Sequence, residues 1–323
     1  MISRIGLLTS GGDAPGMNSC IRSVVRTAIS RDCEVIGIER GYAGLLEQEM
    51  REMTLRSVSN IIQRGGTILK TSRCDQMFER EGRAKAGRIL RGNDIHGLII
   101  IGGDGSFRGA HLLYKEEGIP VVGLPGTIDN DLYGTDYTIG YDSAVNTALE
   151  SIDKIRDTAA SHERLFFVEV MGHRSGFIAI EVGIAGGAEE ILIPETSTNI
   201  PDLCDRILSG IKRGKTSSII VVAEGDEAGN AINIANKVKT RTGLDSRVCI
   251  LGHIQRGGSP SANDRVLSTK LGFHAANAIV DGKRDVMVGE IHGKIYYTPL
   301  QETWTKSKPI NQEYLELAKI MAL

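Results

Sequence analysis

Short apolar runs, most of them ended by Gly or an acidic residue, recur along this chain of 323 residues. They lie at 5–8, 34–38, 97–103, 119–126, 165–172, 190–195, 218–225 and 248–253. Between most of them, as in 17–30 and 141–156, apolar residues recur with the period of an amphipathic helix. Continuous β-branched runs that alternate with such helices are typical of parallel sheets covered on both faces. The pattern predicts an α/β fold, and the length favours two lobes.

The balance of charge gives no indication of a nucleic-acid or anionic-membrane partner. Lys and Arg number 38 and Asp and Glu 40, so the formal charge of −2 creates no field that would draw the chain to nucleic acid or an anionic membrane. The five cysteines are scattered without CxxC spacing, which favours reduced thiols over a disulfide frame or zinc site. No apolar run approaches the ~20 residues of a membrane span, and the first one is too short for a signal-peptide core. We therefore expect a soluble cytoplasmic protein.

Two glycine-rich turns follow predicted strands and suit phosphate binding. In TSGGDAPGMN (9–18), glycines leave backbone N–H groups open to an anion at the start of a helix, although a packing turn would look similar. GGDGS (102–106) suits a diphosphate with Mg²⁺, in which Asp104 faces the metal and Ser106 supplies an oxygen. It is not a Walker A motif, because no Lys-Ser/Thr pair follows.

The segment PGTIDND (125–131) places two carboxylates close together after an apolar strand. Thr127, Asp129 and Asp131 fall on one side if the segment is extended, and one Asp can then act as general base for phosphoryl transfer. The alternative is an Asx-rich turn that caps its own backbone. Taken alone, the segment favours the turn.

LGHIQRGGSP (251–260) carries His253 and Arg256 three residues apart before a Gly-Gly turn. Imidazole and guanidinium at that spacing can bind one phosphate, but a histidine at a strand end is often a structural hydrogen-bonding group. The two interpretations are evenly matched.

Taken together, TSGGDAPGMN, GGDGS, PGTIDND, MGHRSG (171–176) and GHIQRGGSP closely resemble the bacterial ATP-dependent 6-phosphofructokinases, from residue 1 to about 285. The resemblance implies the phosphofructokinase fold, with two lobes that are each a largely parallel sheet with helices on both faces. It also implies an ATP lobe at 1–139 plus 252–304, and a lobe for fructose 6-phosphate and the effector at 140–251 plus 305–323.

The activity that this resemblance implies is the committed step of glycolysis, transfer of the γ-phosphoryl group of ATP to the 1-hydroxyl of fructose 6-phosphate with Mg²⁺. Asp129 is then the general base, and Thr127, Arg73 and Gly12 complete the catalytic set. The implied ATP site comprises Gly12, Arg73, Cys74, Gly103, Asp104, Gly105 and Ser106, with Asp104 toward the metal. The implied substrate site comprises Thr127, Ile128, Asp129, Arg164, Met171, Gly172, His173, Glu224, Arg247, His253, Ile254, Gln255 and Arg256.

The resemblance further implies a homotetramer, in which Arg164 and Arg247 reach a neighbouring active site; the alternative for each is a solvated surface charge. An effector site for ADP or phosphoenolpyruvate is matched by Arg22, Arg26, Arg156, Gly187, Glu189, Arg213 and Lys215. The chain departs from the family pattern there, with Leu55 and Arg56 in place of an Arg-Tyr pair and Thr216 in place of a Lys. The effector and the sign of its effect stay open.

Two glycines favour ATP as the donor. In pyrophosphate-dependent relatives an acid and a lysine stand at the positions of Gly105 and Gly126, where this chain leaves room for the nucleotide. A further departure places His173 where the family commonly has Arg, with Arg174 next, and which of them fills that role stays open. The alternatives are a pyrophosphate-dependent enzyme, a NAD or lipid kinase, and a catalytically weak regulator that binds nucleotide or sugar phosphate.

Overall fold

The computed structural model describes residues 2–162 and 164–321. Contacts within the chain divide it into two compact units, Met1–Ser143 with Arg256–Lys308 and Ala144–Gln255 with Pro309–Leu323. Each unit is an α/β structure, as the alternation of apolar runs and amphipathic segments predicts. The assignment of one unit to ATP and the other to sugar phosphate stays a prediction.

The first unit is built around a mainly parallel sheet. Its strands are β1 (Arg4–Thr9), β2 (Glu34–Ile38), β3 (Met50–Glu52), β4 (Gly97–Gly102), β5 (Val121–Pro125), β10 (Val286–Ile291) and β11 (Lys294–Pro299). Its helices are α1 (Met17–Ser30), α2 (Gly41–Glu47), α3 (Arg80–Gly92), α4 (Asp104–Glu117), α9 (Ala262–Val280) and α10 (Glu302–Thr305). The strand order is β11-β10-β5-β4-β1-β2-β3, and β3 and β11 are the antiparallel strands.

The order of the central strands determines where a ligand can bind. From β1 the chain crosses to β2 on one side, and from β4 it crosses to β5 on the other. The strand order therefore reverses between β1 and β4, which are paired in register. In open parallel sheets the crevice outside the carboxyl ends at such a reversal is the usual ligand site. TSGGDAPGMN follows β1 and GGDGS follows β4, so both turns lie at this crevice.

The apolar segments predicted neither the short strand β3 nor the antiparallel hairpin β10–β11 of this sheet. Only His292 and Gly293 separate the strands of the hairpin, and both have positive φ, at 49° and 75°. This is the two-residue connection that matches the right-handed twist of paired strands.

The second unit contains a smaller, wholly parallel sheet. Its strands are β6 (Leu165–Val170), β7 (Glu190–Leu192), β8 (Ser218–Ala223) and β9 (Ser246–Ile250), in the order β7-β8-β6-β9. Its helices are the greater part of α5 (Tyr141–His162), α6 (Phe177–Ala185), α7 (Ile200–Lys212), α8 (Ala231–Thr242) and α11 (Gln312–Met321). Phe167, Leu203 and Ile234 lie in the core between sheet and helices.

Helix α11 is the last helix in the described part of the chain. No helix in the described part of the chain has the length and hydrophobicity needed to cross a membrane.

Candidate active site

The turns after β1 and β4 are joined by hydrogen bonds at the crevice of the first unit. The amide of Ser10 donates to the carbonyl of Ile101 at 2.9 Å, and the Ser106 hydroxyl donates to the Ser10 hydroxyl at 2.8 Å. A Cβ atom at Gly102 would lie 2.5 Å from the Ser10 carbonyl oxygen, so this close approach requires glycine. The two predicted phosphate-binding turns therefore form one continuous surface.

This surface is the floor of a pocket of about 340 Å³ within the first unit. All of the residues predicted for ATP binding line it, and so do several of the predicted substrate residues. The predicted residues in the lining are Gly12, Arg73, Cys74, Gly103, Asp104, Gly105, Ser106, Thr127, Ile128, Asp129 and Arg256. Gly12 and Arg256, which are 244 positions apart in the sequence, thus line the same cavity.

Asp104 is the first residue of α4, a helix of 14 residues. The unpaired N–H groups at a helix N-terminus and the helix dipole favour an anion there. One oxygen of Asp104, Oδ1, accepts from the Gly105 amide at 2.6 Å, and the side chain is exposed in the pocket. The site therefore offers N–H donors for a phosphate and a carboxylate for a cation beside it.

Arg256 lies over the first glycine turn. A Cβ atom at Gly12 would come within 2.9 Å of Nη1 of Arg256, so glycine at position 12 makes room for the guanidinium. The guanidinium adds positive charge to a pocket that already carries Arg73. Two arginines and the helix N-terminus make this region suited to a polyanion.

The loop after β5 corrects the predicted geometry of PGTIDND. Asn130 has a left-handed backbone with φ of 54°, so the segment is not extended, and the condition under which Thr127, Asp129 and Asp131 would share one side is not met. The Asn130 side chain closes a turn instead, since Oδ1 accepts from the Thr138 amide at 3.0 Å and Nδ2 donates to the Asp136 carbonyl at 3.2 Å. The Asx turn and the pocket coexist, because the turn leaves Asp129 in the pocket lining.

Thr127 and Asp129 contact each other within that loop. The Asp129 amide donates to the Thr127 hydroxyl at 3.2 Å, and this hydroxyl lies 3.4 Å from Oδ2 of Asp129. Asp129 is half-buried, so its carboxylate is partly withdrawn from water at the pocket wall. A group placed in this way can accept a proton from a bound hydroxyl.

The two glycines that favoured ATP differ in their surroundings. Gly105 is exposed, and a Cβ atom there would meet nothing within 4 Å. Gly126 is buried, and a Cβ atom would lie 2.8 Å from Cγ2 of Ile101 and 3.0 Å from Cε of Met17. Packing alone therefore requires glycine at position 126. The argument that a missing side chain leaves room for ATP depends mainly on Gly105.

Several pocket residues were missed by the motifs. Tyr42, Met77, Phe78 and Gly109 also line the cavity. Tyr42 donates from its hydroxyl to the Ser106 carbonyl at 2.7 Å, and burial raises the pKa of this phenol. Burial likewise raises the pKa of the Cys74 thiol, so this predicted ATP-site residue is a neutral thiol at physiological pH.

In the second unit, predicted substrate residues meet at the carboxyl ends of β6 and β8. His173 has a left-handed backbone with φ of 55°, and its amide donates to Oε1 of Glu224 at 2.8 Å. The Met171 amide donates to Oε1 of Gln255 at 2.9 Å, and Gln255 is fully buried. A non-glycine residue with positive φ is uncommon and is often found at a functional site.

His253 and Ile254 are exposed in the short 3₁₀ segment Gly252–Arg256 that follows β9. Their exposure leaves the His253 imidazole open to a ligand.

Arg164 and Arg247 lie elsewhere in the second unit. Both are exposed, Arg164 directly precedes β6, and Arg247 pairs with Phe166 at the amino end of that strand. Met171 follows the carboxyl end of the same six-residue strand, which is about 20 Å long at ~3.3 Å per residue. Within one chain, these two arginines are therefore not brought to the residues around Glu224.

The five predicted effector residues of the second unit are linked or share a cavity. Nη2 of Arg156 donates to the Gly187 carbonyl at 2.6 Å. Glu189, Arg213 and Lys215 line a cavity of about 580 Å³, whose wall includes Leu315 of α11. Arg22 and Arg26 belong to the first unit, half-buried and exposed on α1, and Leu55 and Arg56 are exposed.

Among residues 2–162 and 164–321, no group of three or more His, Cys, Asp or Glu side chains is placed to hold a metal ion. Mg²⁺ in phosphoryl-transfer sites is commonly held by one or two carboxylates together with substrate phosphates. The exposed Asp104 carboxylate in a pocket suited to phosphate fits that kind of site.

The chain matches the family model described as phosphofructokinase over residues 4–279. It is 56% identical over 322 residues to "ATP-dependent 6-phosphofructokinase 1" of Thermus thermophilus, with 100% of both chains covered. It is 51% identical over 319 residues to the ATP-dependent 6-phosphofructokinase of Clostridioides difficile, with 99% of both chains covered.

Solved structures of the same fold include one whose title names pyrophosphate as the donor, whereas the curated relatives are named ATP-dependent. The phosphofructokinase of Saccharomyces cerevisiae superimposes with a TM-score of 0.90 at 35% identity, over 99% of this chain and 48% of that chain, so this chain spans about half of its length. A pyrophosphate-dependent phosphofructokinase from Marinobacter aquaeolei has a TM-score of 0.85 at 25% identity, over 97% of this chain and 86% of that chain. The fold by itself therefore does not select the donor.

Proposed function

This chain belongs to the phosphofructokinase family, and from that premise we propose that it is an ATP-dependent 6-phosphofructokinase. It transfers the γ-phosphoryl group of ATP to the 1-hydroxyl of D-fructose 6-phosphate, giving fructose 1,6-bisphosphate and ADP. The observation that carries the proposal is the pocket of the first unit, where two glycine turns, a helix N-terminus, two arginines and Asp129 meet. The names of the curated relatives support the same activity.

Asp129 acts as the general base in this proposal. Its carboxylate takes the proton of the sugar 1-hydroxyl as the hydroxyl oxygen bonds to the γ-phosphorus. The bond from that phosphorus to the bridging oxygen of ADP breaks, and ADP leaves. Thr127, Arg73 and the Gly12 amide hold the transferred group, whose charge spreads over its oxygens in the transition state.

Asp104 would hold Mg²⁺ in the same proposal, beside the phosphates of the bound nucleotide. The ion would neutralise phosphate charge. Its fit depends on the exposed carboxylate at the start of α4, beside the N–H groups of that helix end.

Glu224 and His253 of the second unit bind fructose 6-phosphate, Glu224 by accepting from sugar hydroxyls and His253 through the 6-phosphate. The family resemblance assigns Arg256, a residue of the first unit, to the same phosphate. Met171, Gly172 and His173 form the adjoining backbone, which Gln255 and Glu224 hold in place. The position of Arg164 and Arg247 at the other end of β6 supports their use in a neighbouring subunit of a homotetramer.

An effector site is the remaining part of the proposal. Arg156, Gly187, Glu189, Arg213 and Lys215 supply it in the second unit, and Arg22 and Arg26 supply anion-binding groups on α1. ADP and phosphoenolpyruvate are the candidate effectors. The exposed Leu55 and Arg56 stand where the family pattern has an aromatic contact to the nucleotide base. A binding measurement therefore has to decide between ADP and phosphoenolpyruvate.

The test is identification of the product. The purified protein is incubated with ATP, Mg²⁺ and fructose 6-phosphate, and the phosphorylated sugar is examined by ³¹P and ¹³C NMR. We expect a second phosphate on C1 with the phosphate on C6 retained. ATP hydrolysis without a new sugar phosphate, or a phosphate on another hydroxyl, would contradict the proposal.

A further inference from the structure

The segment that carries Arg73 has no regular secondary structure of its own. Residues 53–74 form neither helix nor strand between β3 and the 3₁₀ turn Asp75–Phe78. The backbone groups of such a segment need partners elsewhere in the fold if the segment is to keep one position. Arg73 is exposed in the pocket lining, and among the described residues none forms a hydrogen bond or ion pair with its guanidinium. The position of Arg73 is therefore set by the backbone that leads to it.

Asn18, the second residue of α1, holds the middle of this segment. Its Nδ2 donates to the carbonyls of Arg64 and Gly65 at 3.0 and 3.1 Å, and its Oδ1 accepts from the Ile68 amide at 2.8 Å. The residue is 1% exposed. Both N–H bonds of the side-chain amide and one oxygen lone pair are thus used on the segment. Among side chains of this length, only Asn carries donors and an acceptor in this arrangement.

The next part of the segment is tied to the first glycine turn. The buried Thr9 hydroxyl, at the end of β1, donates to the Lys70 carbonyl at 2.7 Å. The Thr71 hydroxyl donates to the Gly11 carbonyl at 2.7 Å. Contacts before, within and after the glycine turn therefore align the segment with it, and Asn18 makes those after the turn.

The same segment lies against the residues that follow Arg256. A Cβ atom at Gly65 would lie 2.1 Å from the Gly258 carbonyl oxygen, so glycine is required at position 65 for this approach. Because Gly65 is also a hydrogen-bond partner of Asn18, its backbone is held between α1 and the chain that carries Arg256. The two arginines of the pocket thus come from segments that contact each other.

We propose that Asn18 is a positioning residue for phosphoryl transfer, which acts by holding the segment that carries Arg73 against the first glycine turn. The inference rests on the proposed function, because Arg73 is assigned there to the transferred phosphoryl group. Without the side-chain amide of Asn18, two backbone carbonyls and the Ile68 amide lose their partner, and the segment shifts. A displacement of about 1 Å is enough to cost roughly 10²-fold in rate.

A double-mutant cycle compares the parent with Asn18→Ala, Arg73→Ala and the variant that carries both changes. We expect kcat to fall roughly 10- to 100-fold in Asn18→Ala, and at least as far in Arg73→Ala. Once Arg73 is replaced, Asn18→Ala should lower kcat less than about threefold, because the contact that Asn18 positions is already absent. A merely structural role of Asn18 would instead give losses that multiply.

The matched control is Ser19→Ala. Ser19 is the next residue of α1 and is equally buried, and its hydroxyl donates to the Ile62 carbonyl at 2.9 Å, near the start of the same segment. This contact lies farther along the chain from Arg73 than those of Asn18. Ser19→Ala should therefore keep kcat within about threefold of the parent.

A second variant, Asn18→Ser, allows for the possibility that Ala at this buried position prevents folding. A hydroxyl, with room for a water molecule in the freed space, leaves fewer backbone groups without a partner. All variants are measured well below their melting temperatures. In the same cycle, Asn18→Ser should give a smaller loss of kcat than Asn18→Ala, again only where Arg73 is present.

A binding measurement separates this inference from the proposed reaction. Inorganic tripolyphosphate is titrated into each variant by calorimetry, which needs neither turnover nor a sugar. We expect Arg73→Ala and Asn18→Ala each to weaken binding roughly 10-fold, and the double variant to bind no more weakly than Arg73→Ala. This pattern without phosphorylation of fructose 6-phosphate would support the role of Asn18 and contradict the proposed reaction. The inference is overturned if the folded variants at position 18 keep the parent's kcat, or if the losses from the two substitutions multiply in the double variant.

Discussion

Asp129 lies four residues beyond the end of β5, in the lining of the pocket and close to the Thr127 hydroxyl. Its position is set by the turn around Asn130, whose side chain pairs with backbone groups of residues 136 and 138. Because these contacts do not involve the Asp129 carboxylate, its charge can be removed with little change to the loop.

For Asp129→Asn we expect kcat to fall roughly 10²- to 10⁴-fold, since an amide cannot accept the hydroxyl proton. The melting temperature should stay close to that of the parent. The matched control is Asp153→Asn, which removes an exposed carboxylate from α5 and should leave kcat unchanged. A variant at 129 with kcat within about threefold of the parent would exclude the base role.

Gly105 and Gly126 give a second pair of contrasting substitutions. Gly105→Asp places a carboxylate in open space beside Asp104, so it should fold normally and raise KM for ATP through repulsion of the phosphates. Gly126→Lys should lower stability by about 1–3 kcal/mol, because its Cβ meets Ile101 and Met17. Thermal unfolding and ATP kinetics of both variants separate the two effects. Unchanged ATP kinetics in a folded Gly105→Asp would argue against the space account of donor choice.

The first turns of α5 and α9 are joined by one buried carboxylate. Asp264 of α9 is 1% exposed and accepts from the Gly140 amide, the Ser143 amide and the Ser143 hydroxyl at 2.8, 2.8 and 2.6 Å. Burial raises the pKa of Asp264, and the three hydrogen bonds oppose this shift. The loop carrying Asp129 leads into α5, and the segment carrying Arg256 leads into α9. The hydrogen bonds of Asp264 therefore fix this loop and this segment relative to each other.

For Asp264→Ala we expect a loss of about 2–3 kcal/mol, because two amides and a hydroxyl lose a buried acceptor. Asp264→Asn keeps one acceptor oxygen and should be less destabilising. Urea unfolding followed by circular dichroism measures both, with the exposed Asp205→Ala of α7 as control. Equal stability of Asp264→Ala and Asp205→Ala would show that the network contributes little.

Elements of this fold differ in how well the sequence predicts them. The buried strands β1, β4, β5, β6 and β8 are continuous apolar runs, and each was expected from its hydrophobicity alone. The hairpin β10–β11 was missed, although VMVGEI, HG and KIYYTP carry alternation and a two-residue turn. Its strands are half exposed, so their apolar signal is weaker than that of a buried run.

The residues that line the pocket also differ in how well the sequence predicts them. The two glycine turns in its lining directly follow parallel strands, so their meeting at one sheet edge could be predicted from order alone. Tyr42 and Phe78 reach it from α2 and from a short 3₁₀ turn, and no local pattern marks them. The placement of Phe78, for example, depends on the buried Arg83 guanidinium, which donates to the Phe78 carbonyl and to Glu116 of α4, and sequence spacing does not reveal such contacts.

At the scale of the whole molecule, Arg164 and Arg247 bear on assembly. Both are exposed at the amino end of β6, at the other end of that strand from Met171. If they serve a neighbouring subunit, two inactive variants should complement each other. Asp129→Asn and Arg247→Ala, each inactive alone, are dissociated and reassembled together.

In such hybrids a site is intact when one chain supplies Asp129 and its neighbour supplies Arg247, so random mixing should restore about a quarter of the parent activity. Light scattering verifies that the mixture is tetrameric. Activity no greater than the sum of the two variants would mean that Arg247 does not act across subunits.

The most direct test of the central claim is a comparison of phosphoryl donors in the parent protein. Initial rates of fructose 1,6-bisphosphate formation are measured with ATP and with pyrophosphate, each with Mg²⁺ and saturating fructose 6-phosphate, in an aldolase-coupled assay. We predict kcat/KM for ATP at least about 10²-fold above that for pyrophosphate, since the open space at Gly105 leaves room for the α-phosphate and nucleoside of ATP. Turnover with pyrophosphate that equals or exceeds turnover with ATP would contradict the account.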